Sequence, residues 1–279
     1  TAKAALIDSC DATAEAAFRS CKAETKSDKF LALGKCSNIT DPTARSTCSR
    51  QALSDADDAL QTCKDEDALR EIVCNRTGPA AYSPVIDPAN FVSVIDNPYY
   101  PLRPGTTFVY EGLVTEAPGG FEHVEFSVTH ATRVILGVTC VEVHDVRFLN
   151  GVLLEDTRDW FAQDRQGNVW YFGENTTLVD RGLPVDLGGT WTGGVDGAQP
   201  GIIMEAHPQV GDSYGEEFAP GVAQDRATVL SLNEQVQVPY GSFTGCLKTR
   251  NFTPLDRGFV EEKYYCAPAG LGLEVVVHG

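Results

Sequence analysis

Six cysteines in the first quarter of the chain constrain its fold more than any other feature. They stand at positions 10, 21, 36, 48, 63 and 74, so the gaps run 11, 15, 12, 15, 11, a palindrome. The residues around them favour helix. Asp8 to Lys26 contains no Gly or Pro and is dense in Ala. In "DPTARSTCSRQAL" Asp41 is placed as an N-cap, with Pro42 at the first helical position. "SDADDALQTCKDEDALREIVC" opens with Ser54 and early Asp residues, which favours a further helix start there. Eleven residues make about three helical turns, so Cys10 and Cys21 share a face, as do Cys63 and Cys74. Two such helices lying antiparallel match both pairs at once. The spacing therefore predicts nested bridges Cys10–Cys74, Cys21–Cys63 and Cys36–Cys48. Nesting resembles that of saposins, but their early C-x-x-C pair is missing, so no lipid binding is carried over. With no His in this segment and gaps far too long for a zinc knuckle, zinc is disfavoured.

Nine Cys in all point to an oxidising compartment. The opening "TAKAALIDSC" has neither a basic nor an apolar leader region and reads as a mature form with its signal peptide removed. A secreted or periplasmic location follows. No apolar run is long enough to span a bilayer. The net charge of −17 excludes nucleic acid and anionic membrane surfaces as partners, because both require a cationic face.

Composition divides the chain. Residues 1–76 are rich in Ala, Asp, Ser, Lys and Cys and hold neither Trp nor Tyr. So few large apolar side chains cannot build a core, and this Cys-rich helical module must lean on its bridges. Residues 77–96, "TGPAAYSPVIDPANFVSVID", read as a linker or docking segment. Residues 97–279 are rich in Val, Gly, Thr and aromatics, with regularly spaced turn signals, the pattern of antiparallel β. Segments such as "GTTFVYEGLV", "FEHVEFSVTHATRVI", "TCVEVHDVRFL" and "EQVQVPYGSFTGCLKTRNF" give roughly ten strands in meander order. "FLNGVLL" is a hairpin centred on Asn150-Gly151. A sheet of this size curls. The expected class is α+β: a disulfide-braced helical module followed by a large antiparallel β-barrel or half-barrel.

The densest stretch is "LLEDTRDWFAQDRQGNVWYFGEN", Leu153 to Asn175. Alternation sets Arg158, Trp160 and Ala162 on one face of its first strand, and Trp170 and Phe172 on one face of its second. Asp164 to Asn168 is the connecting loop, with Gly167 free to take a positive φ. Arg165 and Gln166 spoil a calcium loop, which needs acids at alternate positions. Paired aromatics across a hairpin stabilise a sheet, and they are also what lines an apolar ligand cavity.

"NPYYPLRPGTTFVYEG", "LLEDTRDWFAQDRQGNVWYFGE", "GVDGAQPGIIM" and "VPYGSFTGCLKTRNFTPL…VEEKYY" together resemble an uncharacterised family of secreted bacterial β-domain proteins. The resemblance covers about residues 97–275. It implies one exported β domain and assigns no reaction.

Catalytic and metal signatures are sparse. The chain lacks a G-x-S-x-G elbow, a dinucleotide fingerprint, a P-loop and an H-E-x-x-H motif. His123 shares a strand face with Glu125, and His144 with Glu142, so paired strands bring potential acid–base or metal groups near one another. Met204 and His207 in "IIMEAHP" are soft ligand types suited to copper. The competing reading for all four is ordinary packing and a solvated sheet face, and no metal or cofactor is expected. Glu155, Asp156 and Asp159 cluster, but carboxylates are too plentiful to single out. N-x-[ST] sequons occur at Asn38, Asn75, Asn175 and Asn251.

Three cysteines remain. "CLKTRNFTPLDRGFVEEKYYC" reads as a hairpin centred near Asp256, which sets Cys246 opposite Cys266 and Arg250 opposite Glu262. Cys140 is then a free thiol. The family resemblance implies the rival pair Cys140–Cys246 with Cys266 free, because such proteins often carry those two and lack the third. The functional expectation is a secreted, non-catalytic binding protein. Its small apolar or mixed ligand sits in a β-barrel cavity among Trp160, Trp170, Phe172 and Trp191. The alternative is an extracellular structural or surface-assembly subunit, with self-association. An enzyme of unfamiliar type ranks third.

Overall fold

The computed structural model describes residues 9–77, 82–114, 119–180, 182–255 and 259–278. The chain forms two compact units, Thr1–Tyr82 with Pro254–Arg257, and Ser83–Thr253 with Gly258–Gly279.

The first unit is a helical hairpin of α1 (Ser9–Ser37) and α2 (Pro42–Thr77). Asp41 caps α2 as its sequence demands: its Oδ1 accepts from the Ala44 amide at 2.7 Å, with Pro42 at the first position. No new helix starts at Ser54. Nothing between Thr43 and Thr77 breaks the helix, and side chains four apart bridge the expected start, Gln51 donating to Asp55 at 2.8 Å. All three nested bridges are present, with Cα–Cα distances of 5.5, 5.8 and 5.6 Å from the outermost inward. Among the described residues of the two helices the buried apolar ones are Ala14, Ala52, Cys36, Cys63 and Cys74, joined by Arg70, while Phe30, Leu31, Leu53 and Ile72 face water. Sulfur and alanine do the work of a core. The small side chains leave a groove of about 460 Å³ over the Cys21 end of the middle bridge, lined by Thr25, Ala32, Ala52, Ala56 and Ala59 among others.

The second unit is antiparallel β. Its strands are β1 (Phe91–Val92), β2 (Thr107–Val114), β3 (Gly120–Ile135), β4 (Val138–Leu149), β5 (Val152–Asp164), β6 (Val169–Asp180), β7 (Leu183–Asp186) and β8 (Trp191–Thr192). They continue with β9 (Gln199–Met204), β10 (Ser213–Gly215), β11 (Glu217–Phe218), β12 (Arg226–Val238), β13 (Gly241–Phe252), β14 (Val260–Cys266) and β15 (Gly270–His278). The described strands make a ten-stranded sheet in the order β11-β9-β6-β5-β4-β3-β2, with β1 added to β5 and β7 and β8 to β6. It curls into a half-barrel. A five-stranded sheet, β10-β12-β13-β14-β15, packs against its concave side through Tyr214, Ala227, Val229, Leu247 and Tyr265. The additional strands are short; β1 and β8 have two residues each, too few for a periodic signal.

The Asn150-Gly151 hairpin joins β4 and β5 with φ of 50° and 77°, the doubly positive turn this dipeptide favours. The β13–β14 hairpin has the expected register, Arg250 opposite Glu262, and Cys246 is bonded to Cys266. Its tip, at residues 256–258, lies outside the described residues. Cys140 is the free cysteine, fully buried, and the rival Cys140–Cys246 pairing is not made.

The ten-stranded sheet is buried on both faces over part of its area. Its concave face carries the main core, including Val128, Val143, Phe161, Tyr171 and Trp191. Its convex face carries a second core of Ile135, Val138, Cys140, Trp160, Ala162 and Phe172. Ile86 and Phe91 cover that second core, so the segment expected as a linker belongs to the β unit from Ser83 onward. The Asp164–Asn168 loop holds this cover. Arg165 donates its amide to Asn90 O at 2.7 Å and its Nε to Ala89 O at 2.9 Å. Asp164 accepts from Gln166 N, Asn168 N, Asn168 Nδ2 and Trp170 Nε1 at 2.8–3.0 Å. Those four donors make the acidic loop a structural turn.

Candidate functional site

His123 and His144 lie on the convex face of the curled sheet. His123 Nδ1 lies 3.0 Å from Glu111 Oε1 and its Nε2 3.2 Å from Glu125 Oε1. Hydrogen bonding to Glu111 first, then Glu125, raises its pKa above the ordinary value. His144 pairs instead with Asp156 at 3.0 Å. In the β3–β4 register His144 sits opposite Ser127, four positions along from His123 and so about 13 Å away. The two do not share a site. Met204 is fully buried in the core, while His207 is exposed. Among the described residues, no group of three or more His, Cys, Asp or Glu is arranged to hold a metal.

The four aromatic candidates do not line one cavity. Trp160 and Phe172 are packed in the convex core, with Trp170 against them, while Trp191 belongs to the concave core. Phe91 fills the space over the first group, meeting Phe172 edge-on at 5.5 Å and Trp170 at 6.3 Å. Arg133 lies over the Trp160 ring at 4.2 Å. These side chains are core and cover.

The concave face is where chemistry collects. Period-two alternation points Glu155, Thr157, Asp159 and Phe161 of β5 inward, beside Val143, Asp145 and Arg147 of β4. An aromatic ladder crosses this face. Phe126 meets Phe161 at 6.3 Å, Phe161 stacks on Tyr171 at 4.7 Å, and Tyr171 meets Trp191 edge-on at 5.4 Å. From the turn ahead of β2, Tyr100 reaches both Phe161 and, on the facing sheet, Tyr265.

Carboxyl groups surround the ladder. The Tyr171 hydroxyl lies 2.7 Å from Asp159 Oδ1 and 3.0 Å from Glu174 Oε2. Trp191 Nε1 donates to Glu217 Oε2 at 2.9 Å. Asn251 donates Nδ2 to both oxygens of Glu216 at 2.8 Å, and itself accepts from Thr249 at 2.7 Å. Burial, the largest influence on each, raises the pKa of Asp159 and Glu217 well above the carboxylate range and pushes Glu174 and Glu216 up to about 7. Toward the Arg147 end the face is half-buried. Burial and then the neighbouring Glu155 push Asp145 up to about 7, and its buried Oδ1 has no hydrogen-bond partner. Lys263 pairs with Glu261 at 3.3 Å and Glu274 at 3.5 Å. Desolvation works against its charge, but Glu274 and Glu261 outweigh it and its pKa lies well above the usual lysine value.

Glu174 is absent from any sequence reading for a physical reason. Simple alternation from Trp170 and Phe172 sends Glu174 to the convex side. In the structure Trp160 pairs with Gly173 and Phe161 with Tyr171, so Phe172 is an extra residue and the bulge swings Glu174 inward, opposite Asp159. Gly173 makes this possible: its φ is +145°, and a Cβ there stands 2.6 Å from the Trp191 carbonyl oxygen. The signal to look for was a glycine between an aromatic strand and an acid. The chain matches no protein-family model, no curated protein and no solved structure.

Proposed function

We propose that this is an extracytoplasmic, non-catalytic binding protein whose site is the concave face of the half-barrel. The observation that carries the reading is the chemistry of the inward positions. A face that only packs is apolar, yet here Asp145, Arg147, Glu155 and Lys263 stand inside the curl beside Tyr110 and the aromatic ladder, and remain half-open to water. Carboxyl groups outnumber Lys263 and Arg147 on this face, so the fitting ligand has an aromatic or apolar body and a cationic group. The four disulfides, the acidic surface and the resemblance to exported β-domain proteins support the location. The test is a pair of probes with the same ring and opposite charge, phenethylammonium and phenylacetate, followed by amide shift perturbation. The ammonium is expected to move signals of Tyr110, Asp145 and Lys263 and the carboxylate not to. If neither probe moves them at millimolar concentration, the reading fails.

One observation favours a second reading, a subunit of a surface assembly. β7 is exposed along its whole length; Leu183 and Val185 on it, and Leu187 just beyond it, are 60–68 % exposed. Pro184 removes a donor from that edge, so a partner meets side chains more than backbone. Sedimentation velocity across a hundredfold concentration range decides it: assembly abolished by Leu183→Ser with Val185→Ser supports this reading, and a persistent monomer ends it.

A further inference from the structure

We propose that Asp159, Tyr171 and Glu174 form a proton-held latch, in which one shared proton keeps the carboxyl pair closed beneath Trp191 and its loss loosens the β8 strap from β6. The Tyr171 hydroxyl has one hydrogen, yet its oxygen lies within hydrogen-bond distance of a carboxyl oxygen on each side. Both contacts are hydrogen bonds only if one carboxyl group is an acid. Asp159, whose carboxyl burial raises further than that of Glu174, keeps that proton and donates it to the phenol oxygen, and the phenol donates to Glu174. With both ionised, Asp159 faces a lone pair at 2.7 Å and a like charge directly across the β5–β6 ladder.

No cation relieves this from the flanking elements that act most strongly on the pair. Those are Asp145 from β4, Glu155 from β5 and Asp225 ahead of β12, with Glu217 from β11 next to Glu174. Lys263 acts on Asp145 and Asp225. The weakest element around the pair is the one that covers it. β8 has two residues, paired to Gly173 and to Glu174 itself. Trp191 rests its ring edge on Tyr171 and its indole N–H on Glu217. Beyond β8 the strap is held by the Thr190 hydroxyl, which accepts from Thr176 N and donates to Thr176 O, and by Gly193 N donating to Phe172 O. Repulsion among Asp159, Glu174 and Glu217 is relieved by lifting this short strap. The half-barrel is therefore shut at acid to neutral pH and opens along β8 as the medium turns alkaline, whatever the concave face binds.

The test uses the full chain with ¹⁵N-labelled tryptophan. Of the three indole signals, that of Trp191 is expected to shift in one step as the pH is taken from 5 into the alkaline range, with a midpoint above Glu174's value of about 7. Trp170, bonded to Asp164 on the opposite face, is the control. Glu174→Gln keeps a donor for Tyr171 and never ionises, so the Trp191 signal should stay at its acid position throughout. A Trp191 signal that does not move in the wild type, or moves equally in the variant, overturns the proposal. Carbon-13 titration of the Asp159 carboxyl in the wild-type protein needs no variant: a midpoint above Glu174's value of about 7 supports the latch, and one near the ordinary 3.8 sinks it.

Discussion

Reducing the helical hairpin should unfold it, and the size of the effect follows from how its bridges are nested. The inner bridge, Cys36–Cys48, spans a separation of 12 and contributes about 3 kcal/mol by restricting the unfolded chain. The middle bridge closes only what the inner one leaves open, 42 less 12, or roughly 30 residues, which gives about 3.5 kcal/mol. The outer bridge closes 64 less 42, roughly 22 residues, for about another 3 kcal/mol. Together they contribute on the order of 10 kcal/mol, against the ~3–5 kcal/mol available to a core of this size. The core here is smaller still, because Phe30, Leu31, Leu53 and Ile72 are exposed. With excess phosphine reductant the circular dichroism signal at 222 nm should fall by more than half. Fluorescence reports the other unit, since all three Trp lie in β strands, and it should hold. The paired variant Cys246→Ser with Cys266→Ser shows what opening the fourth bridge does alone. Helicity that survives full reduction at room temperature refutes the reasoning.

Four further outcomes are expected. Burial holds Glu216 protonated up to about 7 against an ordinary 4.5; the folded state binds this proton more tightly than the unfolded one. Its stabilising contribution, about 3 kcal/mol, is complete below pH 4.5 and lost as pH rises toward 7, so the urea midpoint of the β unit should be higher at pH 5 than at pH 8; a midpoint that climbs with pH contradicts this. Gly173→Ala should destabilise by several kcal/mol or fail to fold, because a Cβ meets the Trp191 carbonyl at 2.6 Å; unchanged thermal stability would show the bulge to be dispensable. Cys140, its thiol pushed up to about 12 by burial, should be silent to a disulfide reagent in native protein and titrate as one thiol in guanidinium. Where a host glycosylates, Asn38 and Asn175 should accept glycan and Asn251, buried and bonded to Glu216, should not; peptide mass spectrometry reads this directly.

How much of this was legible depended on whether a residue's neighbours were set by local spacing. The nested bridges were, because helical rise converts sequence gaps into distances. The Cys246–Cys266 bond was, because a hairpin reflects its own sequence. The Asn150-Gly151 turn was, from two residues alone. The acidic interior was not. Asp159 and Glu174 become neighbours only through a register that a bulge at Phe172 and Gly173 alters, and among so many carboxylates neither stood out. The second core was hidden for another reason. Alternation separates the faces of a sheet, but it does not say that a Pro-rich segment upstream will return to cover one of them.

That cover changes where the β unit begins as a physical object. The composition suggests a boundary at residue 97, but a fragment cut there loses Ile86 and Phe91 and the hold of Ala89 and Asn90 on Arg165. Trp160, Phe172 and Ile135 would then meet water as one contiguous apolar patch on a convex sheet, a surface that sticks to its own kind. A fragment beginning at Ser83 keeps the patch closed. Solubility on expression therefore turns on fourteen residues that, by composition, belong to no domain at all.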